Sequence, residues 1–101
     1  MMFGLKDHII NMIREVFVQY PEVEKVLIYG SRARGDYKEG SDIDLSMIGD
    51  ISYRTEASIW GKIDDLPMLY MCDLSRLAHI KNENLVEHIN RVGKVFYQKE
   101  I

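Results

Sequence analysis

Gly30 and Ser31, followed after ten intervening residues by Asp42 and Asp44, are the side chains of this sequence best placed to do chemistry. The apolar run 26–29 delivers the chain to Gly30, and a second run, 43–48, starts immediately after Asp42. In a β-strand, residues i and i+2 project to one side, with Cα atoms about 7 Å apart. Asp42 and Asp44 therefore share a side, while Ile43 and Leu45 turn to the core. Glycine lets the backbone approach a phosphate closely, and a serine hydroxyl with neighbouring N–H groups can bond its oxygens. A carboxylate pair suits Mg²⁺, which takes oxygen ligands and is often held by one or two carboxylates plus substrate phosphates. Together these features predict phosphoryl chemistry on a nucleoside triphosphate.

A third carboxylate, Asp73, closes another apolar run and could reach the same cation or an attacking hydroxyl if its strand lies beside the one carrying Asp44. Three such acids repel one another. At about 7 Å and an effective dielectric near 20, each pair costs on the order of 2 kcal/mol, so the cluster makes sense as a cation site. Arg32 and Arg34 follow the Gly-Ser turn and could contact phosphate, arginine being better than lysine at bidentate contact; the alternative is a pair of solvated loop residues. Asp73 could instead be a helix cap, in competition with Ser75. His8, His79 and His88 are scattered without zinc spacing, so they are expected on the surface or on helix faces. Cys72 and Trp60 are expected in the core, and Tyr37 in an exposed loop.

The elements that must position these groups follow from periodicity. Leu5, Ile9, Met12, Ile13, Val16 and Phe17 recur at helical spacing and predict an amphipathic helix ending before Pro21. A buried strand is predicted at 26–29, a helical turn at 31–34 stopped by Gly35, a loop at 36–41 and a second strand at 43–48. Ser52 is placed to cap a helix whose inner face carries Ile59, Trp60 and Ile63. Pro67 is expected to open a third strand over 68–73, followed by a short turn or helix with Leu74, Leu77 and Ile80. A last helix carries Leu85, Ile89 and Val92, with Gly93 at its C′ position, and 95–97 predict an edge strand. The order α-β-α-β-α-β-α-β points to an α/β (α+β) fold: a small mixed sheet with helices mainly on one face.

Composition narrows the function. A chain of 101 residues fits one domain, 1–101, and can bury a single core without disulfides or structural metals. The net charge of −3 argues against a protein that grips long nucleic acids, which would carry a basic surplus. One cysteine allows no internal disulfide, which fits a reducing cytoplasm. The first residues lack the pattern of a signal peptide, and no stretch approaches the roughly 20 apolar residues of a membrane span.

The run from Tyr29 to Leu45 resembles the minimal nucleotidyltransferases (MNT proteins) of the DNA polymerase beta-like superfamily. Their signature is Gly-Ser, about ten residues, then Asp-x-Asp. The stretch from Leu66-Pro67 to Asp73 is similar to the family's later strand bearing a third carboxylate, and Arg91-Val92-Gly93 before Val95-Phe96-Tyr97 is similar to its close. The resemblance implies the polymerase beta-like nucleotidyltransferase fold and transfer of a nucleoside monophosphate to a hydroxyl with release of pyrophosphate. It implies Gly30 and Ser31 on the triphosphate of ATP, Asp42 and Asp44 on two Mg²⁺ ions, and Asp73 completing the metal site and helping to deprotonate the acceptor. It further implies a HEPN-domain toxin as partner, in the manner of the MntA-type antitoxins that adenylylate a tyrosine of such a toxin, with the two proteins associating. Two rivals remain at this stage: a module that silences such a partner by masking it, and the nucleotide-binding subunit of a small-molecule or tRNA nucleotidyltransferase.

Overall fold

The computed structural model describes residues 1–100. The elements, in chain order, are α1 (Asp7–Val18), β1 (Lys25–Tyr29), α2 (Ser31–Arg34), β2 (Ile43–Ile48), α3 (Tyr53–Asp64), β3 (Cys72–Arg76), a 3₁₀ turn (Leu77–His79), α4 (Glu83–Val92) and β4 (Lys94–Gln98). The four strands form one mixed sheet in the order β3-β2-β1-β4. β1 runs antiparallel to both β2 and β4, whereas β2 and β3 are parallel. That parallel pair needs a crossover, which α3 supplies.

Alternation along the strands divides the sheet into two unlike faces. Val26 and Ile28 of β1, Ile43, Leu45 and Met47 of β2, and Cys72 and Leu74 of β3 join one apolar cluster with Ile9, Ile10, Ile13, Val16 and Phe17 of α1 and Ile59 and Ile63 of α3. A bulge between Val26 and Leu27 in the β1–β4 register allows consecutive Phe96 and Tyr97 both to meet this cluster. The intervening residues Leu27, Tyr29, Asp44, Ser46, Asp73 and Ser75 belong to the opposite face. There α4 packs against β1, with buried Ile89, and the His88 ring stands edge-on to Tyr29 at 6.3 Å. The helices thus cover both faces, α1 and α3 on one and α4 on the other.

Local signals account for the ends of these elements. The Ser52 hydroxyl accepts from the Thr55 N–H at 3.1 Å, the cap expected for α3, and Asn82 caps α4 through Asn84 and Leu85 N–H groups. Three expectations need correction. The third strand is Cys72–Arg76, not 68–73. Residues 66–71 form a loop in which Leu69 and Met71 are solvent-exposed, and the parallel ladder begins where the Ile43 N–H donates to the Met71 carbonyl at 2.8 Å. Trp60 is 38% exposed, on the flank of α3 rather than in the core. Gly93 has extended dihedrals, so it does not serve as a left-handed C′ residue; a Cβ there would collide with the Ile89 carbonyl.

Candidate active site

The strand register brings the acids together. Tyr29 of β1 lies opposite Asp44 of β2, and Asp44 in turn lies beside Asp73 of β3. Neighbouring strands are about 4.8 Å apart, so Asp44 and Asp73 project side by side from one face. Asp42 ends the loop just before β2, at the same parity as Asp44, and is exposed. Asp73 therefore stands near the start of its strand, in the position needed to join Asp42 and Asp44. A step along the strands, Ser75 donates to Ser46 at 3.0 Å, a polar pair that continues the row away from the acids.

Gly30 fits against this cluster. Its φ of 73° lies in the left-handed region, and a Cβ would collide with the Asp44 carboxylate. The dihedral favours glycine here, and an added Cβ would also have to push the Asp44 carboxylate aside. Ser31 opens the single turn of α2, in which the Arg34 N–H donates to the Gly30 carbonyl at 3.1 Å and the Gly35 N–H to that of Ser31 at 2.9 Å. The Gly-Ser step and the carboxylates are thus adjacent in space, as their sequence spacing requires.

The electrostatics record the crowding. The Asp44 carboxyl is pushed above the usual aspartate range, first by burial, then by the charges of Asp73 and Asp42, with His88 pulling the other way. Tyr29 is likewise pushed up by burial and by Asp73 and Asp44, partly offset by a hydrogen bond with Ser75. Cys72, whose side is the apolar one, is pushed up to about 12, mainly by burial; it is a core thiol. The raised Asp44 reflects its burial first and the crowding of like charges second. Among the described residues no three His, Cys, Asp or Glu side chains already meet as a ligand shell. Mg²⁺ does not require one, since waters and substrate phosphates complete its octahedron. The donor set of Asp42, Asp44 and Asp73 fits that ion, all three being hard oxygen ligands.

The two arginines part company. Arg34 is exposed and pairs with Asp36 at 3.3 Å. Arg32 is only 2% exposed, and its guanidinium is committed to the backbone carbonyls of Phe3, Glu39 and Ser41. Its hydrogen bonds in this structure all run to those carbonyls, whereas the sequence pointed to a phosphate. Two residues of the constellation, Tyr29 and His88, carry no chemical signal in the sequence. Strand parity alone marks Tyr29, which sits fifteen residues before Asp44 in sequence and directly across from it in the sheet. Only the docking of α4 brings His88 in; it was expected on a surface or helix face and is half-buried near Asp44.

The family described as "Polymerase beta, Nucleotidyltransferase" matches residues 11–101. This chain belongs to that nucleotidyltransferase family. A Methanocaldococcus jannaschii protein named "Putative protein adenylyltransferase" is 48% identical over 31 residues, a stretch spanning 31% of this chain and 31% of that relative. The fold is similar to a chain of a toxin-antitoxin crystal structure with AMP-PNP, at TM-score 0.71 and 18% identity, covering 90% of this chain and 74% of the other. It is also similar to a chain of the tri-AMPylated Shewanella oneidensis HEPN toxin in complex with MNT antitoxin, at TM-score 0.68 and 15% identity, covering 94% and 74%. These likenesses agree with the four-stranded mixed sheet of a polymerase beta-like nucleotidyltransferase. No helix of the described residues is long and apolar enough to cross a membrane.

Proposed function

We propose that this chain transfers AMP from ATP to a hydroxyl, a tyrosine for preference, of a HEPN-domain partner and so acts as its antitoxin in the cytoplasm. The observation that carries this reading is the register that sets Asp73 beside Asp44, with Asp42 two residues before it and Gly30 against the Asp44 carboxylate. The likeness to a complex containing an AMPylated HEPN toxin supports the choice of partner.

In this reading Gly30 and Ser31 hold the triphosphate, and exposed Arg34 is free to swing from Asp36 towards its outer oxygens. Asp42, Asp44 and Asp73 would hold Mg²⁺, one ion or two. When bound, Mg²⁺ supplies charge neutralisation at the reacting phosphoryl group. The acceptor oxygen bonds to the α-phosphorus while the bond to the bridging oxygen of pyrophosphate breaks, in line. Asp73, the exposed acid of β3, takes the acceptor proton and passes it to water. Tyr29 and the Ser46–Ser75 pair line the same face of the sheet beside the acids. Catalysis then rests on positioning and charge placement.

The test is incubation of the purified chain with α-labelled ATP, Mg²⁺ and a candidate HEPN protein, followed by mass spectrometry of the partner. Label on a partner tyrosine is the expected result. Removing Asp44 as Asp44→Asn is expected to cut incorporation by at least about 10²-fold, the scale of a lost preorganised charge stabiliser, with partner binding retained. A partner silenced equally well by the variant would establish masking, and label on tRNA or a small molecule would replace the protein acceptor.

A further inference from the structure

We propose that Arg32 is a positioning residue: it clamps the loop between Gly35 and Asp42 and thereby sets the Asp42 carboxylate beside Asp44. The proposal rests on the reading of these acids as a metal–nucleotide site. Its basis is an unusual burial. Arg32 is among the largest fully buried side chains of the molecule, and no carboxylate pairs with it among the described residues. A buried cation without a counter-ion is costly unless hydrogen bonds satisfy it. Here Nε and Nη2 both donate to the Ser41 carbonyl, at 3.1 and 2.9 Å. Nη2 also donates to Glu39 at 3.2 Å, and Nη1 to Phe3 at 3.0 Å.

The anchor point is what matters. The Ser41 carbonyl belongs to the peptide that leads into Asp42, so a forked bond to that oxygen fixes the peptide plane from which Asp42 projects. The loop is closed on itself as well: the Ser41 N–H donates to the Lys38 carbonyl at 3.0 Å, and the Lys38 N–H to the Ser41 hydroxyl at 2.8 Å. Arg32 ties this closed loop to the body of the protein. Its guanidinium carbon lies 5.2 Å from the Tyr37 ring centre and 4.9 Å from that of Tyr70. Tyr70 precedes β3, so one side chain touches the lead-in segments of both Asp42 and Asp73. A lysine could not reproduce this, because an ammonium is a single point and cannot span three separate carbonyls with a planar fork.

The test compares wild-type chain with Arg32→Lys and Arg32→Met by hydrogen exchange, by Mn²⁺ titration with ATP, and by ATP binding without metal. Amides of residues 36–42 are expected to exchange at least about tenfold faster in both variants, with β1 and β4 unchanged. Half-saturation by Mn²⁺ in the presence of ATP is expected to rise roughly tenfold or more, the scale for lost outer support of metal ligands, while metal-free ATP binding stays as in wild type. AMP transfer by Arg32→Lys should return towards the wild-type rate at saturating Mn²⁺, a rescue that general loss of structure would not give. Unchanged loop exchange and unchanged Mn²⁺ response would overturn the proposal. So would loss of metal-free ATP affinity with a quiet loop, which would make Arg32 a phosphate ligand. Should both variants fail to fold, Tyr37→Leu removes one wall of the clamp and leaves its carbonyl bonds; faster exchange confined to 36–42 supports the clamp, and no change overturns it. A wild-type chain that binds Mn²⁺ with ATP but labels no acceptor would overturn the proposed transfer and leave the clamp standing.

Discussion

The two faces of the sheet are built from alternate residues of the same strands, yet they follow opposite rules. On the face covered by α1 and α3, Ile28, Leu45 and Leu74 lie in one row across β1, β2 and β3 and are buried in the main cluster. One residue along, Tyr29, Asp44 and Asp73 form the next row on the opposite face, where burial raises proton affinities rather than adding stability. The first face is optimised for exclusion of water. The second holds like charges together, and the Asp44 carboxyl answers with a raised proton affinity. Stability and chemistry are thus divided between adjacent residues of single strands, so each can be perturbed with little effect on the other.

The sharpest way to break that division is at Leu45 and Asp44. Leu45→Ala is expected to cost roughly 2–5 kcal/mol of stability, as other buried leucines do, read by denaturant unfolding. Any transfer activity of its folded fraction should remain close to wild type. Gly30→Ala comes next, because it attacks the boundary between the faces. The added Cβ meets the Asp44 carboxylate in a left-handed conformation, so a loss of about 1–3 kcal/mol is expected, together with weakened Mn²⁺–ATP binding in a titration. A variant that bound the metal–nucleotide as wild type does would show that the Gly30–Asp44 contact is incidental.

A smaller effect has the opposite sign. Because the Asp44 carboxyl is raised in the folded state, its contribution to stability is fully present below the unfolded-state value and is lost as pH rises through the folded one. Metal-free protein should therefore lose a little stability as the pH climbs through the range where Asp44 ionises. Asp44→Asn should remove that slope and stabilise the metal-free protein at neutral pH by less than about 1 kcal/mol, the group being partly solvated. Melts across that pH range, with chelator present, check both statements. Smallest of all, Cys72, at about 12, should resist alkylation at neutral pH until the protein unfolds, as mass spectrometry after iodoacetamide treatment would show.

Much of this division is written in the order of residues. The parity of Asp42 and Asp44, the turn at Gly30-Ser31, the Ser52 cap and the alternation of helices and strands are local features, and the fold keeps each of them. What was not legible depends on partners distant in sequence. Residues 68–71 read as strand because they are apolar and β-prone, but β2 offers them a ladder partner only from Ile43 onward, so the chain before Cys72 stays a loop. The pattern of α4 shows which of its own sides is apolar, not which face of the sheet will receive it, and His88 went unread with it. Arg32 looks like any charged residue beside a phosphate-binding turn until three carbonyls from two segments are seen to converge on it.

The parallel pairing of β2 with β3 also governs when the site comes into being. β1 and β2 are joined through the short turn and loop of 30–42, so Tyr29, Asp42 and Asp44 can meet early. Asp73 cannot join them until α3 has crossed over: equivalent positions on the two strands, such as Ser46 and Ser75, are 29 residues apart. Closing a segment of that length costs on the order of 3 kcal/mol of chain entropy, recovered only once the ladder and the α3 contacts form. A half-folded chain therefore owns two of its acids and lacks the third. Pairing of β3 with β2 is therefore the step that assembles the full cluster.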